Sequence, residues 1–147
     1  MKYQWCSVLA LTMLLSGCSD SATDVDTTIS GRWSYNASNI VAGSINCSIT
    51  GVTINLTQSG STFSGTTLGG TFRCSAPGVA PIVEDLGSDV IANGQINGNS
   101  VTFDISTPDI HNTGTRSGNS ISGQITIRLV LSTGVVNLVG SFSAVRS

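Results

Sequence analysis

Apolar and polar residues alternate along most of this chain, and the alternation is interrupted by short turns rich in glycine. Val52-Thr53-Ile54-Asn55-Leu56-Thr57-Gln58 keeps a period of two until Ser59-Gly60-Ser61 stops it. That is the pattern of a half-buried strand running into a hairpin turn. A turn centred on Gly60-Ser61 sets Leu56 against Gly65 and Gln58 against Phe63. Carried outwards, the same register brings Gly51 opposite Gly70, where both strands can bend, and Cys47 opposite Cys74. Asn97-Gly98-Asn99-Ser100 has the composition of a type I′ turn. It pairs Ile96 with Val101, Gly94 with Phe103 and Ala92 with Ile105, and puts Gln95 with Thr102 and Asn93 with Asp104 on the other face. Ser117-Gly118-Asn119-Ser120 is a third centre, pairing Gly114 with Gly123 and Thr115 with Ser122. Ile121, Ile125, Ile127, Leu129 and Leu131 then share one face. Beyond Ser132-Thr133-Gly134, Val136, Leu138, Phe142 and Ala144 line one side of a last strand.

The pattern predicts about eight strands, near 29–36, 50–58, 62–74, 88–97, 100–107, 111–117, 120–131 and 135–146. Each has one apolar face and one face of Ser, Thr, Asn or Gln, as in antiparallel sheets wet on one side. The fold class is therefore all-β. Consecutive hairpins close most simply into an antiparallel up-and-down barrel, which removes the sheet edges; a two-sheet β-sandwich is the alternative. Ala76 to Ser88, with Pro77, Gly78, Pro81 and Gly87, reads as an exposed loop.

Composition narrows the function classes. Only 10% of the 147 residues are charged, Lys2 is the one lysine, and the five arginines are scattered. A nucleic-acid partner needs clustered basic residues to follow phosphates, so none is expected. The N-terminus pairs Lys2 with the short apolar run Val8-Leu9-Ala10-Leu11-Thr12-Met13-Leu14-Leu15, a signal-peptide core too short to span a bilayer. It ends in Leu15-Ser16-Gly17-Cys18, which resembles the bacterial lipobox. The resemblance implies cleavage before Cys18, acyl chains on that cysteine and a stable membrane anchor. Ser19 beside it implies the outer membrane of the cell envelope. Residues 19–28 (SDSATDVDTT) read as a polar tether. The expected organisation is a signal peptide over 1–17, a lipidated tether over 18–28 and one β-barrel domain over 29–147.

Cys6 leaves with the signal and Cys18 carries lipid, so Cys47 and Cys74 remain in an exported chain. Their shared register predicts a disulfide worth about 3 kcal/mol of loop-closure entropy. Metal binding by these thiols is disfavoured, because no Cys-x-x-Cys and no neighbouring histidine accompanies them.

Gly31-Arg32-Trp33 resembles the G-x-W signature of lipocalin and avidin-like barrels. In that family the Trp closes one end of the barrel under a basic residue from the last strand, and Arg146 matches that partner in position. The resemblance implies a structural role for Gly31, Trp33 and Arg146, and an interior able to hold a small hydrophobic or amphipathic ligand. Tyr35, Leu56, Phe63, Phe103, Asn112, Ile125 and Phe142 are the positions expected to line such a space. Inward-facing glycines allow the opposite outcome, a barrel filled by its own aromatic rings. Avidin-type biotin sites need several tryptophans, and the mature chain has only Trp33.

Catalytic chemistry is sparse. His111 has no G-x-S-x-G elbow to serve, and Glu84 and Asp85 fall in the expected loop. No cofactor and no enzymatic activity are expected. The function classes left are ligand binding inside the barrel, contact with another envelope protein (a protease, for an inhibitor), and a structural or adhesive surface role.

Overall fold

Each of the three turn centres reverses the chain on a glycine in the left-handed region, Gly60, Gly98 and Gly118 having φ of 62°, 58° and 56°. The computed structural model describes residues 28–106, 109–131 and 134–147. The expected signal peptide, lipobox and nearly all of the tether lie outside the described residues, as does the side chain of Leu131. Ten strands form: β1 (Gly31–Ala42), β2 (Ile45–Ser59), β3 (Thr62–Leu68), β4 (Thr71–Ala76), β5 (Val79–Asp85), β6 (Ser88–Asn97), β7 (Ser100–Ile105), β8 (Asp109–Ser117), β9 (Ser120–Leu131) and β10 (Gly134–Arg146).

Eight of them close into an antiparallel barrel in the order β1-β10-β9-β8-β7-β6-β3-β2, with β2 returning to β1. β4 and β5 lie outside it, on the part of β2 that β3 does not cover. At the lower end are the turns at Gly60, Gly98 and Gly118 and both described termini. At the upper end are the Gly43-Ser44 turn and the β4–β5 hairpin.

The register around Gly60-Ser61 holds over the whole of its length. β2 pairs Leu56 with Gly65 and Thr53 with Leu68, and further up Cys47 with Cys74. The Cys47–Cys74 disulfide forms there. The register around Gly118-Asn119 also runs unbroken, from Ser117 with Ser120 to Asp109 with Arg128. The register around Gly98-Asn99 holds for Ile96 with Val101 and then slips by one residue, so that Ile91, not Ala92, faces Ile105. The cause is a bulge at Asn93, whose φ is 52°. Gly94 sits beside it because a Cβ there would lie 2.6 Å from the Phe63 ring and closer still to Phe63 O.

Two segments differ from expectation. β1 runs on to Ala42 and β2 starts at Ile45, so residues 37–42 and 45–49 are strand. The expected loop from Ala76 to Ser88 is a hairpin with Pro77 and Gly78 in its turn, Gly78 at φ 74°. Pro81 belongs to β5, an edge strand, where a missing N–H is tolerated. All seven β5 residues are exposed.

Candidate functional site

Inward positions of all eight barrel strands meet in one core that includes Ile54, Ile91, Ile105, Ile110, Ile125, Ile127 and Leu138. At its centre stand four rings. Tyr35 stacks on Phe142 with centroids 5.5 Å apart, Phe103 meets Phe142 edge-on at 5.8 Å, and Phe63 lies 6.0 Å from Phe103. Gly114 gives Phe142 its place, since a Cβ at Gly114 would lie 3.0 Å from Phe142 Cζ. Asn112 is fully buried and supplies the polar contact this cluster requires. Its Oδ1 accepts a 2.8 Å hydrogen bond from the Tyr35 hydroxyl. The seven positions expected to face a ligand, Tyr35, Leu56, Phe63, Phe103, Asn112, Ile125 and Phe142, are all buried, and they pack the interior with their own side chains.

A cavity of about 20 Å³ remains near the upper end, beside Tyr35, Val52, Thr67, Leu86, Asp89 and Ile110. That volume is room for about one water molecule. It is far below the roughly 300 Å³ at which small-molecule sites begin.

Burial pushes the Tyr35 phenol far above its ordinary range. An unfolded tyrosine ionises near pH 10. Above about pH 10 the unfolded chain therefore sheds a proton that the folded chain keeps, and stability falls by about 1.4 kcal/mol per pH unit. Below that pH both states hold the proton and Tyr35 contributes no pH dependence. Tyrosinate absorbance should therefore rise together with the loss of near-ultraviolet circular dichroism. A phenol that titrates near pH 10 in the intact barrel would contradict the burial. Tyr3 lies in the segment expected to be removed, so the mature chain reports Tyr35 alone.

The lower end of the barrel is closed by a side-chain pair from its first and last strands. Trp33 is fully buried and pairs with Arg146 across β1 and β10, with the guanidinium carbon 4.9 Å from the ring centroid. Its Nε1 donates to Ile29 O at 2.9 Å, and Arg146 donates to Thr28 O. Gly31 has φ 126°, a backbone conformation that side-chain-bearing residues rarely adopt. Arg116 is buried nearby, donating from Nε to Gly118 O at 3.1 Å.

On the outer wall, His111 Nδ1 lies 2.6 Å from Asp104 Oδ1, Asn93 Nδ2 donates to Asp104 Oδ2 at 2.7 Å, and Thr113 Oγ1 lies 3.2 Å from His111 Nε2. Partial burial raises the Asp104 pKa, but the hydrogen bonds from Asn93 and His111, with the His111 charge, outweigh it and hold the carboxyl below its usual range. The small stabilisation this gives is present above the ordinary carboxylate pKa and is lost as pH falls through the lowered one. Thr113, His111 and Asp104 stand in the order of a nucleophile, base and orienting acid. They lie on an open strand surface, with His111 more than half exposed. The bulge at Asn93 was not legible as such, although Asn-Gly beside an inward glycine is the local signal for it.

The feature that sequence reasoning missed is the β4–β5 hairpin. Its apolar run Val79-Ala80-Pro81-Ile82-Val83 reads as loop because of Pro81, yet Pro77-Gly78 lies midway between Cys74 and Ile82, which pair. Val79, Ile82 and Val83 are 64%, 55% and 55% exposed. Beneath them, Ile45, Cys74, Ala76, Val79 and Ile82 border a concave apolar surface of about 260 Å³. Glu84 and Asp85 end the strand. Three strands bend at the hairpin's base along one line of glycines, Gly51 (φ 72°), Gly70 (φ 97°) and Gly87 (φ 64°). Leu86 N–H donating to Gly70 O at 3.0 Å and Gly69 N–H donating to Gly87 O at 2.6 Å tie that line together. Among the described residues no group of three His, Cys, Asp or Glu side chains is placed to hold a metal ion.

Comparison with known proteins finds no family, no curated relative and no solved structure that matches this chain.

Proposed function

We propose that the protein is a lipid-anchored bacterial envelope protein that works by contact with another envelope protein through its β4–β5 hairpin, the barrel serving as a rigid stalk. The observation that carries this reading is the contrast between the two ends of the barrel. Four aromatic rings fill the interior and Trp33 closes the lower end, while exposed Val79, Ile82 and Val83 crown the upper one. For a small apolar ligand inside the lipocalin-like barrel, the rival reading, the cavity beside Tyr35 offers about 20 Å³.

The lipobox-like Leu15-Ser16-Gly17-Cys18 supplies the anchor. Residues 19–28 span at most roughly 35 Å from a lipidated Cys18 and join the barrel at its lower end. The hairpin is then carried on the side away from the bilayer, at the outer membrane that Ser19 favours. The exposed apolar residues fit a protein-contact surface better than a solvated wall. The acidic hairpin and neutral wall offer no phosphate-binding patch, and no cofactor or catalytic step enters this reading.

Two measurements test it together. Labelling with a fatty acid, and retention in the membrane fraction, should both disappear in Cys18→Ser. A photo-crosslinking residue at position 82 should give a discrete protein adduct in cells, and one at position 126 on the opposite wall should not. A stoichiometric small molecule extracted from the purified full chain, with no adduct at 82, overturns the contact reading in favour of the ligand one.

A further inference from the structure

β5 is a strand with one free side, and the direction of its backbone groups follows from the ladder beneath it. The Cα atoms of Cys47 and Cys74 are 4.0 Å apart. That is the close spacing of an antiparallel pair that exchanges no backbone hydrogen bonds with each other. Cys74 therefore turns its N–H and C=O towards β5, where it pairs with Ile82. Leu86 N–H, four residues on, donates to Gly70 O and gives the same parity. Ile82 and Glu84 thus face β4, and a register shift interrupts the ladder between Val79 and Ile82. Val83 and Asp85 face outwards with carbonyl and N–H, and Pro81, beside the register shift, has no N–H to present.

We infer that this edge captures an extended segment of another protein as an added antiparallel strand, and that the segment is apolar with a basic residue at one end. Four observations on this strand set the chemistry. The outward groups centred on Val83 can exchange two hydrogen bonds with one partner residue, and Asp85 N–H continues the ladder. The missing donor at Pro81 ends that ladder on one side and so fixes its register. Side chains of the incoming strand that fall beside Ile82 lie over the concave apolar surface, whose volume of about 260 Å³ accepts large aliphatic groups. Glu84 and Asp85 project to opposite faces of the strand end, so a lysine or arginine there meets a carboxylate on either face.

A second copy of this chain is the less favoured occupant. Antiparallel self-pairing about Val83 sets Pro81 opposite Asp85 and loses two donors. It also brings both copies' Glu84 and Asp85 to one seam.

The inference rests on the protein-contact reading, and its test is separate from that of the reading. The probe is a fluorescent octapeptide of alternating valine and threonine ending in lysine, titrated into the full chain in mild detergent and followed by anisotropy. Its N-methylated form, which cannot complete the ladder, should bind about tenfold more weakly or worse. So should the unmodified peptide with Val83→Pro, a substitution at an outward position where no hydrogen bond to β4 is lost. Glu84→Lys with Asp85→Lys should reverse the preference to a glutamate-ended peptide, and salt should erode it.

Equal binding of the N-methylated peptide, or an unaltered Val83→Pro titration, overturns strand addition. A full chain that binds none of the peptides does the same, even where crosslinks at position 82 uphold the contact reading. Concentration-dependent dimerisation abolished by Val83→Pro overturns it in favour of self-pairing.

Discussion

Trp33→Ala is expected to lower the unfolding free energy by about 3–5 kcal/mol, the cost of removing a large buried aromatic side chain. Trp33 has no exposed surface, and three separate contacts meet on it: the core below, the Arg146 guanidinium above, and Ile29 O at the end of its Nε1–H. Truncation leaves a cavity under Arg146 and an unpaired carbonyl at Ile29 in the same step. Trp33→Phe keeps a ring beneath the guanidinium and loses the Nε1 hydrogen bond, so it should cost a smaller part of the total. Arg146→Lys tests the other partner, because an ammonium cannot lie flat on the ring as a guanidinium does. Urea denaturation followed by far-ultraviolet circular dichroism measures all three. A Trp33→Ala midpoint close to that of the parent chain would show that the lower end is closed by other residues. Trp5 lies in the segment expected to be removed, so Trp33 fluorescence in the parent chain reports this closure directly.

Where the turn glycine is followed by strict alternation, the fold was legible residue by residue. Gly60 and Gly118 mark centres whose registers hold to Cys47–Cys74 and to Asp109–Arg128. Gly98 marks a third, but a bulge consumes Asn93 and moves every later pair by one. Single-residue bulges are set by what packs across the sheet, here the Phe63 ring over Gly94, and period-two counting carries no information about them. The same effect hid residues 37–42. Asn39 has φ 52°, and the register of β1 against both neighbours breaks around it, which removes the alternation there.

The closing contact of the barrel was legible only through the G-x-W resemblance, since pairing of first and last strands has no local signal. Trp33 and Arg146 meet across β1 and β10. The hairpin at the candidate contact surface was hidden for a different reason. Proline lowers any strand reading, and only the pairing pattern reveals that Pro81 lies at a register shift of an edge strand, where no ladder hydrogen bond is lost. Glu84 and Asp85 look like two solvated loop acids in sequence. In the structure they are the charged end of an edge strand.

Removing the Cys47–Cys74 disulfide is the second large perturbation. Cys47→Ala with Cys74→Ala is expected to cost about 3–4 kcal/mol, chiefly by returning loop entropy to the unfolded chain. Alanine is the better substitute because Cys47 is buried, and a serine hydroxyl there would need a partner. The loss should also be uneven in space. β4 pairs with the barrel through β2, β5 pairs with β4, and every residue of β5 is exposed. The hairpin therefore depends on the disulfide, the β2–β4 ladder and the two hydrogen bonds at its glycine base. In hydrogen exchange, amides of β4 and β5 should lose protection in the double variant at free energies below those of β8 and β9. In the oxidised chain they should open with, or close to, the whole barrel. Uniform loss of protection in all strands would mean that the base glycines and the β2–β4 ladder hold the hairpin unaided. The distinction bears on contact, because an edge strand already fixed in place adds a partner strand without first being ordered itself. Unequal loss of protection would make this disulfide the element that keeps the edge ready.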